Sequence, residues 1–231
     1  MLKIQNRIGI PESKHSGIDT LENCFDRKHF LNYSKNISYR YNTRGFRDNE
    51  WPEDLSDVIW CIGDSFTVGL GQPFQETWPQ LLEKKLGKRC LNLGEDGCSN
   101  DTMAMRINEI CKLYNPKLIV VMWSYLARRR INNDNVHHDK KSFGFKEDIK
   151  NFIKNYETVN QLSTSVINLI VPNATTRTDT LNNFLKKEQK QNPNLLHFKQ
   201  LDWSRDYHHF DVKTTTNITE LIYNSIESVD K

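Results

Sequence analysis

Short apolar runs alternate with segments of helical periodicity along most of this chain. The runs cover five stretches, 58–62, 90–94, 118–123, 166–171 and 195–198. Unbroken apolar runs rich in β-branched residues are typical of parallel strands that are buried on both faces. The segments between them place apolar residues three and four positions apart, which predicts amphipathic helices. Strands that alternate with helices in this way predict an α/β fold in which a parallel sheet lies between two layers of helices.

The helical periodicity predicts five helices, over 76–86, 100–114, 146–162, 181–191 and 214–229. With the five strands they favour a three-layer α/β/α fold whose five-stranded parallel sheet has the flavodoxin-like order 2-1-3-4-5. The least regular stretch is 127–145, which carries two charge clusters, Arg128-Arg129-Arg130 and His137-His138-Asp139-Lys140-Lys141. We expect a solvated loop there. The alternative is a binding surface, because the stretch follows the third strand.

Residues 1–50 have mixed polarity and precede the regular alternation of strands and helices. We expect them to form an N-terminal appendage that packs on a main domain over residues 51–231. Residues 37–47 alternate before a glycine, like one arm of a short hairpin. Four side chains of this stretch either pack on the main domain or touch substrate at the mouth of a site. They are Tyr39, Tyr41, Arg44 and Arg47.

Composition limits the expected partners and compartment. A chain of 231 residues suffices for one large α/β domain and is too short for two. With 26% charged residues and a net charge of +3, the overall charge gives no reason to expect a nucleic-acid partner. The start of the chain lacks the apolar core of a signal peptide, and no segment is apolar enough to span a bilayer. The 5 cysteines lack zinc-type spacing and favour reduced thiols. We therefore expect a cytoplasmic protein without a membrane partner.

Three short sequence blocks stand in order along the chain: Gly63-Asp64-Ser65-Phe66, Asn92-Leu93-Gly94-Glu95-Asp96-Gly97 and Asp206-Tyr207-His208-His209. They resemble the first, second and last blocks of the SGNH (GDSL-like) hydrolases. The first block follows the apolar run 58–62, so Ser65 is expected at the carboxyl end of a strand, where open α/β sheets bind ligands. The resemblance covers about residues 58–225. It implies a serine esterase with the SGNH fold.

The predicted catalytic residues are Ser65, Asp206 and His209. A serine hydroxyl becomes a good nucleophile when a histidine takes its proton, and an aspartate fixes the tautomer of that histidine and stabilises its cation. The Asp-x-x-His block of the family assigns these two roles to Asp206 and His209, and His208 is the competing base. A histidine pair also occurs as a metal site. No third ligand has a familiar spacing, so neither a metal nor a cofactor is expected.

The predicted oxyanion donors are the backbone N–H groups of Ser65 and Gly97 and the side-chain amide of Asn100. Preorganised donors stabilise the charge that develops on the carbonyl oxygen. The family normally adds an asparagine from a Gly-x-Asn-Asp block after the third strand, where this chain has Trp123-Ser124-Tyr125-Leu126. Asn100 replaces that donor in one interpretation and caps a helix in the other. Ser124 is a weaker candidate for the same role.

These observations predict an ester hydrolase that removes a small acyl group, such as acetyl, from a carbohydrate or a similar polar small-molecule ester. The carbohydrate is inferred by analogy from a polar, aromatic rim and from the lack of a long apolar lid. The rim side chains are Tyr39, Tyr41, Trp123 and Tyr125. An acyltransferase with the same triad is an alternative, because exclusion of water redirects the acyl-enzyme. A non-catalytic binding or structural protein on a degenerate scaffold is another, and the missing asparagine favours it.

Overall fold

The computed structural model describes residues 17–137, 145–172 and 179–229. In chain order, its helices and strands are α1 (Arg27–Asn32), β1 (Ile59–Gly63), α2 (Ser65–Val68), α3 (Trp78–Leu86), β2 (Cys90–Gly94), α4 (Asn100–Tyr114), β3 (Leu118–Trp123), β4 (Arg128–Ile131), β5 (Asp134–His137), α5 (Phe145–Asn160), β6 (Ser165–Ile170), α6 (Asp179–Gln191), β7 (Leu195–Leu196) and α7 (Val212–Val229). A 3₁₀ turn, Phe74–Glu76, precedes α3. β4 and β5 form an antiparallel pair outside the main sheet.

The main sheet is parallel and has the order β2-β1-β3-β6-β7. When only the five strands of this sheet are numbered in chain order, the order is 2-1-3-4-5, as predicted. Helix α3 packs with α7, and α4 packs with α5. Because helices flank the sheet on both faces, the three-layer prediction is confirmed. Gly63, the last residue of β1, pairs with Gly94 on one side and with Met122 on the other. The carboxyl end of β1 is therefore the switch point of the sheet, where such folds bind ligands.

The apolar runs explain why these strands lie at the centre of the molecule. Every residue of β1 and β2 is buried, and five of the six residues of β3 are buried. A strand covered by helices on both faces has no solvent side, so it carries no alternation of polar residues. The apolar faces of the helices pack on these strands and complete the core. The core thus fixes the end of β1, from which the candidate site begins.

The stretch 37–47 differs from the hairpin arm that its alternation predicts, since it contains no strand. Asn42 causes the difference. Its Oδ1 accepts hydrogen bonds of 3.0 and 3.1 Å from the N–H groups of Arg44 and Phe46. A side-chain acceptor of this kind lets the chain turn locally, without a partner strand.

The stretch 127–145 also differs from expectation, because β4 and β5 form a hairpin where we predicted a solvated loop. Asn132 and Asn133 have φ values of 48 and 70. Two residues with positive φ are what a two-residue hairpin turn requires, and asparagine tolerates that conformation well. Residues 138–144, which include most of the second charge cluster, lie outside the described residues.

Within the described residues, each helix is too short or too polar to cross a lipid bilayer. The expected cytoplasmic compartment stays a prediction. Residues 1–16 of the expected N-terminal appendage lie outside the described part of the chain. The division of the chain at residue 50 also stays a prediction.

Candidate active site

Ser65 is the first residue of the short helix α2, directly after strand β1 and the capping residue Asp64. The Oδ1 atom of Asp64 accepts a hydrogen bond of 3.1 Å from the N–H of Phe66. Ser65 is buried, with 1% of its surface exposed. Among the described residues, its own N–H has no partner, which is usual for the first N–H groups of a helix. The predicted nucleophile thus lies at the carboxyl end of a central strand, with an unused backbone donor.

Two side chains from the segment after β3 hold the carboxylate of Asp64. Ser124 Oγ donates to Asp64 Oδ2. Arg128 Nη1 donates to the same oxygen at 2.6 Å and to Ser124 Oγ at 2.9 Å. The Asp64 side chain is fully buried, so its negative charge needs a paired cation. Because the Ser124 hydroxyl donates its hydrogen to Asp64, it is not a donor for an oxyanion in this arrangement.

Two of the three arginines on β4, Arg128 and Arg129, are paired with carboxylates, which corrects the expectation that this cluster is solvated. Arg129 Nη1 lies 3.3 Å from Asp148 Oδ1. The backbone N–H of Arg130 donates to Asp101 Oδ2 at 2.9 Å. Arg128 was not among the predicted site residues. The only sequence signal for it was its position after the third strand, on the same rim as Ser65. Three consecutive arginines usually mark an exposed surface, and only the fold brings a buried carboxylate to one of them.

Asp206 is buried and accepts four hydrogen bonds from its own loop. Its Oδ2 pairs with His209 Nδ1 at 2.6 Å. Its Oδ1 accepts from Ser204 Oγ at 2.8 Å and from the N–H groups of His208 and His209 at 2.9 and 3.0 Å. Burial alone would raise the pKa of Asp206, but the charge of His209 and these hydrogen bonds outweigh it and lower the pKa to about 2. Asp206 is therefore a carboxylate at neutral pH, and the pairing puts a proton on His209 Nδ1.

The loop that carries His209 packs on the turn that carries Ser65. The His209 ring lies 4.7 Å from the ring of Phe66, the residue after Ser65, and the ring of Phe210 lies 4.4 Å from Phe66. His209 is 2% exposed, and its Nε2 has no hydrogen-bond partner among the described residues. A buried polar atom without a partner costs free energy and is unusual in a folded protein. This nitrogen is therefore a candidate for a functional role.

His208 has different surroundings from His209. Its ring stacks on Phe25, with centroids 4.8 Å apart and planes inclined by 14°. Burial, the charge of His209 and the charge of Arg128 lower the pKa of His208 to about 4. His208 is therefore neutral near pH 7 and packs as an aromatic ring. Within the described residues, no group of three or more histidine, cysteine, aspartate or glutamate side chains is arranged to hold a metal ion.

Gly97 lies in the loop between β2 and α4 and keeps its backbone donor. Its φ is +72, a conformation that glycine adopts readily. No atom lies within 4 Å of the position that a side chain would take, and its N–H has no partner among the residues described. These features are compatible with the predicted oxyanion role of Gly97, which stays a prediction.

Asn100 ties the start of α4 to the segment after β3. Its Oδ1 accepts from the Ser124 N–H at 2.8 Å, and its Nδ2 donates to the carbonyl oxygens of Ser124 and Tyr125 at 3.3 and 3.4 Å. The interpretation of Asn100 as the helix cap is wrong, because Ser99 is the N-cap and accepts from the Thr102 N–H. The hydroxyl at 99 satisfies the first turn of α4 and leaves the amide of Asn100 to bind the loop. The oxyanion role of Asn100 stays a prediction.

Two of the four aromatic side chains expected on the rim are instead buried. Trp123 is fully buried, and its indole N–H donates to Asn168 Oδ1 at 2.9 Å. Tyr41 is 6% exposed. Tyr125 stays half-exposed, and its ring lies 6.1 Å from that of Phe66. A long aromatic side chain at the end of an inner strand packs inward when the neighbouring strand offers its polar atom a partner, which is why Trp123 leaves the rim.

Arg44 and Arg47 pack on neighbouring residues, as one of the two interpretations predicted. The Arg47 guanidinium is buried and donates to carbonyl oxygens of the serine turn, to Gln72 O at 2.9 Å and also to Gly69 O. The Arg44 guanidinium lies 4.5 Å from the centre of the Trp51 ring. Arg47 therefore holds the turn after Ser65 through buried hydrogen bonds.

No family model matches this chain, and no curated protein matches its sequence. Among solved structures it is similar to the psychrotrophic esterase EstA from Pseudoalteromonas sp., at 19% identity and a TM-score of 0.51 over 74% of this chain and 97% of that one. It is also similar to a member of the lipolytic G-D-S-L family from Veillonella parvula, at 17% identity and a TM-score of 0.50 over 72% of this chain and 96% of that one. The chain has the SGNH hydrolase fold.

The chain is also similar to the structure of a carbohydrate esterase family 2 enzyme from Corynascus thermopiles, which includes a carbohydrate binding domain. It matches at 14% identity and a TM-score of 0.52 over 78% of this chain and 68% of that one. Identities this low establish the fold alone. Fold does not settle function, so the activity has to be argued from the residues of the site.

Proposed function

We propose that this protein is a serine ester hydrolase in which Ser65 is the nucleophile, His209 the general base and Asp206 the residue that orients the base. One observation carries the proposal. His209 Nε2 is buried without a hydrogen-bond partner among the described residues, while Nδ1 of the same ring is bound to Asp206 at 2.6 Å. With its proton on Nδ1, the ring presents an unprotonated nitrogen beside the serine turn. This is the state that a general base needs.

The first half of the reaction acylates Ser65. His209 Nε2 takes the proton of Ser65 Oγ as Oγ attacks the ester carbonyl carbon, and the carbonyl oxygen becomes an oxyanion. The unused N–H groups of Ser65 and Gly97 donate to that oxyanion, and Asn100 adds its amide when it releases its long bonds to the loop. The carbon to oxygen bond of the ester then breaks, and His209 gives the proton to the departing alcohol.

The second half regenerates the enzyme. His209 takes a proton from water, the resulting hydroxide attacks the acyl carbon, and Ser65 Oγ leaves and recovers the proton from His209. Asp206 stays ionised throughout, because its pKa lies near 2, and it stabilises the imidazolium that forms twice in each cycle. An alcohol in place of water would make the same chemistry an acyl transfer.

The proposed substrate is a small acyl ester, such as an acetyl ester, of a carbohydrate or a similar polar molecule. Aromatic rings lie beside the proposed base, because the His209 ring is 4.7 Å from Phe66 and 4.8 Å from His208, and Phe25 in turn stacks on His208. Ligand sites often combine aromatic rings with a few polar groups that fix the orientation of a small ligand. The likeness of the fold to a carbohydrate esterase is in keeping with this proposal.

The test is covalent labelling of the full chain with a serine-directed fluorophosphonate, followed by mass spectrometry. We expect one adduct, on Ser65, and hydrolysis of p-nitrophenyl acetate that is lost on labelling. Ser65→Ala should abolish both signals. Ser165 is an exposed serine at the opposite end of the sheet. Ser165→Ala should change neither the labelling nor the hydrolysis and serves as the matched control.

The labelling experiment also separates the alternatives. A folded protein that takes up no label and hydrolyses no ester would exclude the proposed function and favour a non-catalytic binding role. A labelled protein that hydrolyses esters poorly but transfers the acetyl group to an added sugar would favour an acyltransferase. Rates that increase from acetyl to octanoyl esters would contradict the small acyl group.

A further inference from the structure

A closed ring of hydrogen bonds joins the N-terminal segment, defined here as residues 17–48, to both halves of the candidate site. The Gly71 N–H donates to Tyr39 Oη at 2.8 Å, and the Tyr39 hydroxyl donates to Asp19 Oδ2 at 2.6 Å. Arg205 donates to both oxygens of Asp19, at 2.9 Å from Nε and 2.6 Å from Nη2. The ring closes because the Arg205 N–H donates to Gly71 O at 2.8 Å.

Gly71 is the point where this ring touches the proposed catalytic carboxylate. It lies in the turn that follows Ser65 and has a φ of +74. A side-chain carbon at this position would overlap Ser204 Oγ and would lie 3.0 Å from Asp206 Cγ. The serine turn and the loop that carries Asp206 are therefore in direct van der Waals contact at Gly71. We therefore expect a change in the ring to shift one of these segments against the other.

The N-terminal segment also binds the Ser204–His209 loop through its backbone. The Phe25 N–H donates to Asp206 O at 3.0 Å, and His29 Nε2 donates to Ser204 O at 2.9 Å. On the other side, Arg47 donates to carbonyl oxygens of the serine turn. The segment thus contacts each half of the site independently and spans the seam between them.

Asp19 is the centre of this arrangement. Its side chain is fully buried and takes part in three hydrogen bonds, to two different partners. A bidentate pair of arginine and carboxylate fixes both distance and orientation, because two parallel bonds leave little freedom. We infer that Asp19 is a positioning residue of the proposed hydrolase, which through Tyr39 and Arg205 sets the placement of His209 against Ser65. This inference rests on the proposed function.

The test compares Asp19→Ala with Asn42→Ala in the full chain. Asn42 is a matched control, because it is buried in the same segment and makes three side-chain hydrogen bonds, all within residues 42–49. For p-nitrophenyl acetate we expect Asp19→Ala to lower kcat by about 10- to 100-fold with KM changed by less than about 3-fold, because a misplacement of about 1 Å costs up to 100-fold in rate. Asn42→Ala should lower the melting temperature and leave kcat within about 2-fold of the wild type.

Two further variants keep the test decisive if Asp19→Ala does not fold. Tyr39→Phe removes only the hydroxyl that links Gly71 to Asp19 and should lower kcat in the same direction. Asp19→Glu keeps the charge and should recover part of the lost kcat. The inference would be overturned if kcat fell in proportion to the loss of melting temperature in the Asp19 and the Asn42 variants alike.

A measurement without turnover separates this inference from the proposed function. The proton between His209 Nδ1 and Asp206 Oδ2 should give a low-field proton resonance, because the bond is 2.6 Å long. We expect the resonance to shift or broaden in Asp19→Ala and Tyr39→Phe and to stay in place in Asn42→Ala. If the wild type hydrolyses no ester, the proposed function fails, and this comparison alone decides the role of Asp19. A resonance that stays in place in both Asp19→Ala and Tyr39→Phe would exclude the positioning role of Asp19.

Discussion

Replacing Asp206 by asparagine should change which nitrogen of the His209 ring carries the proton, while the ring keeps its position. The new amide side chain keeps one oxygen that can accept from Ser204 and from the backbone of His208 and His209, as Asp206 Oδ1 does. Its amide nitrogen then faces His209 Nδ1 and donates to it. The imidazole proton must move to Nε2, which can no longer accept a proton from Ser65. We expect kcat to fall by about 10⁴-fold.

The same substitution should destabilise the fold by an amount that follows from the pKa of Asp206. The pKa falls from its ordinary value of 3.8 to about 2. One unit of pKa corresponds to about 1.4 kcal/mol, so ionised Asp206 contributes roughly 2 kcal/mol to the free energy of unfolding. For a chain of this length that amounts to a fall of about 4 to 8 °C in the melting temperature.

The effect on stability should depend on pH in a definite direction. The fold lowers the pKa of Asp206, so the contribution is present in full above the unfolded value of 3.8 and is lost as the pH falls toward about 2. Urea unfolding of the wild type and Asp206→Asn should therefore differ by roughly 2 kcal/mol at pH 7, and the two curves should converge as the pH falls toward about 2.

Two results would refute this reasoning. A kcat within about 10-fold of the wild type would mean that Asp206 does not set the tautomer of His209. A difference in unfolding free energy that stays constant down to about pH 2 would mean that the carboxylate is not favoured by its partners. Circular dichroism at each pH establishes that both proteins are folded before they are compared.

Four further substitutions test three separate parts of the site. His209→Ala should abolish turnover of p-nitrophenyl acetate while His208→Ala keeps a measurable kcat/KM, and the reverse pattern would move the base to His208. Asn100→Asp should lower kcat by about 100-fold or more, because a charge replaces an amide donor; full turnover would mean that Asn100 only holds the loop after β3. Arg128→Met leaves Asp64 buried without a cation, so urea unfolding should show a loss of about 3 to 5 kcal/mol. An unchanged stability would show that Asp64 does not depend on the ion pair.

The fold followed from the sequence because buried strands need unbroken apolar runs and their covering helices need a repeated apolar face. The run 118–123 coincides with β3, and the run 58–62 is displaced from β1 by one residue. The order of the strands followed from the topology typical of such alternation. The position of Ser65 then depended only on where the first run ended.

The surroundings of the site were not predictable in the same way. The Arg128 pairing depends on a hairpin whose only sequence signal is the pair Asn132 and Asn133, which also suits an ordinary loop. Trp123 and Tyr41 were expected on the rim by residue type, and Trp123 is buried because Asn168 of the neighbouring strand β6 accepts its indole N–H. Asp19 carries no periodicity or motif at all. Short-range patterns encode secondary structure, whereas these contacts arise only when the chain is folded.

The ring of hydrogen bonds around Asp19 also dictates an order of assembly. Asp19 and Arg205 are separated by 186 positions in the chain, so the ring closes only after the parallel sheet has brought the two ends of the molecule together. Contacts between such distant residues form late, because the entropy of closing the intervening chain is lost before the contact repays it. A nascent chain that stops before Arg205 lacks both Asp206 and His209, so its serine has no base. Reactivity of Ser65 toward a fluorophosphonate should therefore appear in the last kinetic phase of refolding, after the helical circular dichroism signal.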